Sequence, residues 1–239
     1  YRWASERLHR FVIDGMADNA AACARAGVTY FPYLEPLPDA GKGLLQALAE
    51  RACVVVADDF PCFFLPRLLQ AGAKVSPVLV EAVDANGILP LSATDRAFSA
   101  AVHFRRFLQG KLALYLRQRP EVDPLAALKG MAKAAVPSSV LKRWPVLSSD
   151  LIKDPDPYLA RLPIDHRVGV VGLRGGSAAA LARWRTFQAN GLEGYGEGRN
   201  HPDDDHSSGI SPYLHFGHLG SQQVVHEILQ ARIWSPDQL

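Results

Sequence analysis

The chain has 239 residues, 48% hydrophobic and 21% charged, the composition of an ordinary soluble globular protein with enough length for one large domain or two small ones. No apolar run reaches the roughly eighteen residues of a membrane-spanning helix, which argues against a membrane protein. A net charge of +2 is too small to point to nucleic acid by itself. The opening Tyr1-Arg2-Trp3-Ala4-Ser5-Glu6 has neither an initiator Met nor a signal-peptide core, so the sequence is expected to begin inside a longer protein. Cys23, Cys53 and Cys62 fit neither a disulfide framework nor the paired spacing of a zinc site. Each lies in an apolar stretch, and buried reduced thiols in a cytosolic protein are expected.

In chain order, Leu8, Phe11, Val12, Met16, Ala20 and Cys23 recur at three- and four-residue steps and predict an amphipathic helix over 3–25, stopped by Gly27. Val28–Phe31 reads as a short strand, and Gly43 to Arg51 as a helix. The run Cys53-Val54-Val55-Val56-Ala57 predicts a parallel strand buried on both faces. A helix over 62–71 and a strand over 75–83 complete a βαβ unit. This sheet opens on a helix, so at least one earlier strand is expected to be missing. Residues 95–118 and 124–135 carry helical patterns, and Arg105, Arg106, Lys111, Arg117 and Arg119 read as a solvated face. Prolines at 137, 145, 155, 157 and 163 mark 136–172 as a long connection. Helical pattern resumes at Ser177, a plausible N-cap, and runs through Leu181, Trp184 and Phe187 to Leu192. The expected organisation is α/β: a Rossmann-like parallel sheet domain, incomplete, over 1–92, a helical and Pro-rich connector over 93–172, and the start of an all-helical domain over 173–239.

The most informative stretch is Tyr195-Gly196-Glu197-Gly198-Arg199-Asn200-His201-Pro202, followed by Ser207-Ser208-Gly209-Ile210-Ser211-Pro212-Tyr213-Leu214-His215-Phe216-Gly217. Ser211 is a good N-cap and Pro212 suits a first helical position. Three serines and a glycine ahead of a helix start would make a phosphate site held by neutral donors, since the loop has no lysine. A well-capped helix with no ligand fits the same residues.

These two pieces, with the upstream Gly175, Gly176, Ala179 and Ala180, resemble the signature of the DNA photolyase/cryptochrome family, most closely its class II cyclobutane pyrimidine dimer branch. The likeness is strongest over 165–225 and looser in the first third, through the helix at 7–16 and the strand ending at Asp58. Ile210 stands where leucine is usual, a conservative departure. The resemblance implies a light-driven DNA-repair flavoprotein, a lyase that splits pyrimidine dimers in DNA by electron transfer from reduced FAD. It implies that Tyr195 contacts the flavin, that Ser207, Ser208, Gly209, Ile210 and Ser211 wrap the FAD pyrophosphate, and that Arg199 faces the DNA backbone. The helical domain over 173–239 becomes the beginning of an FAD-binding domain, and the α/β domain an antenna-type one whose second chromophore, if any, no residue identifies. Catalytic and electron-transfer residues are expected beyond Leu239, so that this piece alone is inactive. The protein is expected to be a cytoplasmic monomer. A cryptochrome-like blue-light photoreceptor and a non-catalytic nucleotide-binding relative are the alternatives.

Other residues carry blander readings. His201-Pro202-Asp203-Asp204-Asp205-His206 is an exposed acidic loop, not a metal site, because adjacent ligands rarely converge on one ion. His9, His103, His166, His215, His218 and His226 have no base–nucleophile pattern around them, and His215 is expected to pack near the flavin domain. Trp3, Trp144, Trp184 and Trp234 are expected in the core rather than in an electron-transfer chain. Asp58-Asp59 at a strand end suits a ligand site or a helix N-cap equally.

Overall fold

The computed structural model describes residues 3–203, 206–233 and 235. Trp234, Asp204 and Asp205 lie outside the described residues. The helices are α1 (Glu6–Ala26), α2 (Leu44–Ala49), α3 (Leu65–Val75), α4 (Ala101–Leu116), α5 (Ser138–Arg143), α6 (Ser149–Lys153), α7 (Asp156–Leu159), α8 (Ser177–Asn190), α9 (Tyr195–Gly198), α10 (Ser211–His215) and α11 (Ser221–Ala231). The strands are β1 (Val54–Asp58) and β2 (Leu79–Val83). The chain divides into two compact units, Tyr1–Gly41 with Asp123–Leu219, and Lys42–Val122 with Gly220–Leu239.

The first unit is organised on α1. Ser5 caps it by accepting from the Leu8 amide at 3.4 Å. Gly27 ends it in the left-handed region at φ 72°, with the Val28 amide donating to the Cys23 carbonyl at 2.9 Å. That bond takes Val28 into the helix cap, and residues 28–31 form no strand, contrary to the predicted one. Just after this run the Pro32 carbonyl accepts from the Leu147 amide at 2.8 Å.

The Pro-rich stretch 136–172, expected as a connection, folds into α5, α6 and α7. Its Leu147, Ile152, Leu159 and Leu162 form a core with Ile13 of α1, flanked by Met16, Leu34 and Tyr158. Trp144 is buried and donates through Nε1 to the Ala40 carbonyl at 2.9 Å. Trp184 of α8 is also buried, as expected, whereas Trp3 is exposed. Of the helix expected over 124–135, only a 3₁₀ turn at Ala126–Leu128 forms. No residue of 124–135 is buried, and a short helix without a packed face is marginal in water.

The second unit contains the expected βαβ element. β1 and β2 pair in parallel, Val54 with Leu79 through Asp58 with Val83, across α3. The expected burial on both faces does not hold: Val54, Val56, Leu79 and Val83 share one face and are 39%, 59%, 65% and 48% exposed. An apolar run reports that a strand is β-prone, whereas its burial depends on what packs against it. Asp59 extends the pairing by donating its amide to the Val83 carbonyl at 2.9 Å. Neither Asp58 nor Asp59 is a helix cap, since α3 starts at Leu65 with Phe64 before it. Arg105, Arg106, Lys111, Arg117 and Arg119 are exposed, as a solvated face requires. The cysteines are free, but Cys53 and Cys62 are exposed and Cys23 is half-buried, which corrects the expectation of buried thiols. None of the helices among the described residues is long and apolar enough to cross a membrane.

Candidate functional site

The signature residues all lie in the first unit, built outward from the crossing of α1 and α8. A Cβ on Gly175 would stand 2.0 Å from the Phe11 carbonyl oxygen, so the glycine is what lets the two backbones meet. Three amides at the start of α8 are taken by α1 and by a histidine. Gly175 donates to Asp14 Oδ2 at 2.9 Å, Gly176 to His218 Nδ1 at 2.9 Å, and Ala178 to Asp18 Oδ2 at 2.9 Å. Two carboxylates at a helix N-terminus complement its dipole. Ser177 is therefore the first helical residue rather than the N-cap, which is Gly176. Asp14 also accepts from Arg10 Nε at 3.2 Å and Arg174 Nη2 at 3.0 Å, and Arg10 pairs with Asp156 as well.

The Tyr-Leu-His-Phe-Gly piece anchors the far side. Tyr213 is buried, donates to the Arg174 carbonyl at 2.9 Å, and packs its ring 5.4 Å from that of Phe11. Phe216 and His218 meet the same Phe11 ring at 5.4 and 4.9 Å. His215, expected to pack inward, is exposed, with its ring edge-on to Phe216 at 4.8 Å.

Between these anchors runs the serine turn. Gly209 takes φ 64°, in the left-handed region, and Ile210 is buried. The Ser208 hydroxyl faces the Ile210 amide at 3.5 Å, and Ser211 is exposed as the first residue of α10. The position before α10 is Ile210, so Ser211 does not act as its N-cap. Arg183 of α8 reaches the turn with Nε 2.8 Å from the Ser208 carbonyl and Nη2 3.2 Å from that of Ser207. Sequence reading missed this cation: it stands 24 and 25 residues from its partners, inside an ordinary helical pattern.

Tyr195 opens α9 and packs edge-on against Phe187, ring centroids 5.4 Å apart. Arg199, one turn on, donates to the Tyr195 hydroxyl at 3.3 Å and lies 5.3 Å from its ring centroid. The His206 ring lies against Gly194 and Gly198, where a Cβ on Gly198 would come 2.3 Å from its Cδ2. The segment leading into the serine turn thus folds back on α9. Among the described residues no group of three His, Cys, Asp or Glu could hold a metal ion.

A flavin dinucleotide suits this arrangement at its phosphate end: a left-handed glycine whose Cβ would displace the Arg183 guanidinium, neighbouring serine hydroxyls, and that guanidinium behind the turn.

His218 gives the crossing a pH dependence. Burial holds its pKa below the ordinary imidazole value, against the opposing charges of Asp18 and Asp14, and Nδ1 must be unprotonated to accept from Gly176. A depressed histidine pKa means that the unfolded chain binds the proton first, so this contribution is complete above about pH 6.5 and is lost as pH falls below it. His166 works oppositely: the Leu162 carbonyl and then Glu6 raise its pKa, so its contribution is present at low pH and lost as pH rises through the raised value. The comparison that isolates His218 is His218→Asn, whose side-chain oxygen can accept from Gly176. Urea unfolding at several pH values should show the wild-type chain losing stability below pH ~6.5 relative to the variant. Parallel curves would remove His218 from the account.

No family model matches the sequence. The chain is 26% identical over 242 residues to the deoxyribodipyrimidine photo-lyase of Potorous tridactylus, covering 98% of this chain and 41% of that protein. It is 26% identical over 217 residues to the deoxyribodipyrimidine photo-lyase of Methanothermobacter thermautotrophicus, covering 90% and 44%. Among solved structures, a Synechocystis cryptochrome superposes with a TM-score of 0.60 at 17% identity, covering 95% of this chain and 45% of that one. A class III photolyase from Agrobacterium tumefaciens gives 0.60 at 18% identity, with the same coverage. The chain spans about two fifths of the length of these curated relatives, since it covers 41% and 44% of them.

Proposed function

We propose that the chain is part of a class II deoxyribodipyrimidine photo-lyase, within the photolyase/cryptochrome family of the proteins it is similar to, and that the whole protein repairs cyclobutane pyrimidine dimers in DNA under light. Reduced FAD, when bound, supplies the photoexcited electron that opens the dimer's cyclobutane ring. The work assigned to these residues is to hold the cofactor. Ser207, Ser208, Gly209, Ile210 and Ser211 cradle its pyrophosphate with hydroxyls and amides, and Tyr195 contacts the flavin. Arg199 reaches a DNA phosphate, so duplex binding weakens as salt rises. Residues 1–92 correspond to an antenna-type domain, the part that would take any second chromophore, 93–172 to the connector, and 173–239 to the opening of the FAD-binding domain. Repair is a property of the whole protein, a cytoplasmic monomer.

The observation that carries the reading is the serine turn: a left-handed glycine at φ 64°, flanked by the hydroxyls of the family signature and backed by Arg183. A second reading is a blue-light photoreceptor on the same fold, since a cryptochrome and a photolyase superpose equally, both at 0.60. A non-catalytic nucleotide-binding relative is the third.

The test is the absorption spectrum of the protein purified at the full length of its gene, before and after photoreduction. Visible flavin bands that bleach on reduction are expected. Light-dependent restoration of dimer-containing DNA then separates photolyase from photoreceptor. A full-length protein without chromophore would leave the nucleotide-binding relative and sink the other two.

A further inference from the structure

We propose that Arg183 is the positioning residue of the serine turn and supplies the positive charge with which that turn meets a diphosphate group. The proposal rests on the cofactor reading above and adds a residue from a different element.

Residues 207–211 carry no cation of their own. Arg183 comes to them from α8, with two guanidinium nitrogens on two successive carbonyls, Ser208 at 2.8 Å and Ser207 at 3.2 Å. The peptide bonds are trans, so a carbonyl and the following amide point in opposite directions. Holding the carbonyls of 207 and 208 toward Arg183 therefore turns the amides of Ser208 and Gly209 away from it. Successive amides around a left-handed residue form an anion-binding concavity, and Gly209 is that residue at φ 64°. The guanidinium fixes this shape from behind and adds its charge from the same side. A Cβ on Gly209 would stand 2.6 Å from Arg183 Nε, so the glycine is needed for the guanidinium to sit there at all. The Arg183 charge also acts on Tyr213, where it opposes the rise in pKa caused by burial.

Lysine would keep the charge but cannot bridge two carbonyls with a rigid fork, so the two halves of the proposal separate experimentally. The experiment uses this chain and measures amide exchange of residues 208–210 together with affinity for inorganic pyrophosphate. Arg183→Met is expected to speed exchange at these amides and weaken pyrophosphate binding, each about tenfold or more. Arg183→Lys should recover part of the affinity without recovering the exchange protection, an outcome that a merely structural role for Arg183 does not produce. Gly209→Ala leaves α8 unaltered and should reproduce both losses by displacing the guanidinium, which keeps the test decisive should Arg183→Met fold poorly. Wild-type exchange and affinity in Arg183→Met and Gly209→Ala would overturn the proposal. If the unmodified chain binds no pyrophosphate, the diphosphate half falls with the cofactor reading, and exchange alone decides the positioning half.

Discussion

Asp14→Ala is expected to lower the unfolding free energy of the first unit by about 3 kcal/mol. The carboxylate is only 8% exposed yet accepts from Arg10, Arg174 and the Gly175 amide. Its three donors do not lose equally. The Arg174 side chain is 58% exposed and can turn to water, so its share is small. Arg10 is 9% exposed and keeps Asp156, so it loses one of two partners. Gly175 is buried at the helix crossing, and its amide is left without an acceptor, at about 1–3 kcal/mol. Asp14→Asn retains one acceptor oxygen and should cost about half as much. Urea unfolding monitored by circular dichroism measures both variants. A loss below ~0.5 kcal/mol for Asp14→Ala would mean that water replaces the carboxylate and that the crossing does not depend on it. Because α8 carries Arg183, the alanine variant should also loosen the serine turn in the exchange measurement.

The parts of this fold that were legible in the sequence are those decided within one turn or one strand. The apolar spacing from Leu8 to Cys23 gave α1, and Gly27 gave its end, because helix periodicity and a left-handed cap are local properties. The β-branched run at 54–56 and the breakers around it gave β1 and the βαβ unit for the same reason. What escaped is what partners across long separations decide. Residues 136–172 looked like a connector because their prolines break any long periodicity. Their fold depends on Leu147, Ile152, Leu159 and Leu162 meeting Ile13, more than a hundred residues earlier. The serine turn was legible as a motif but not as a structure. Ser177 and Ser211 each fall one position inside the helix they were expected to cap, since side chains from elsewhere or no side chain at all serve those ends. The Gly-Gly block carried part of the resemblance, while its physical role, the close crossing with Phe11, needs the tertiary contact to be seen. Arg183 was invisible for the same reason.

Gly175→Ala is the sharpest test of that crossing. The added methyl carbon would lie 2.0 Å from the Phe11 carbonyl oxygen and 2.8 Å from its carbonyl carbon, and both are backbone atoms that no rotamer change can move aside. α1 and α8 must then separate, which disturbs the Gly175 and Gly176 amides that bond Asp14 and His218 and the Phe11 ring on which Tyr213, Phe216 and His218 pack. Overpacking of this kind costs about 3 kcal/mol, or roughly 10 °C in Tm for a unit of this size. Gly172→Ala is the matched control, because a Cβ there meets nothing within 4 Å, and its effect should stay within about 0.5 kcal/mol. Thermal unfolding of the two variants side by side separates contact from composition, since each adds the same methyl group three residues apart. A Gly175→Ala chain that melts with the Gly172→Ala chain would show that the helices part at no cost. The glycine pair would then owe its place in the signature to something other than the approach of α8 to α1.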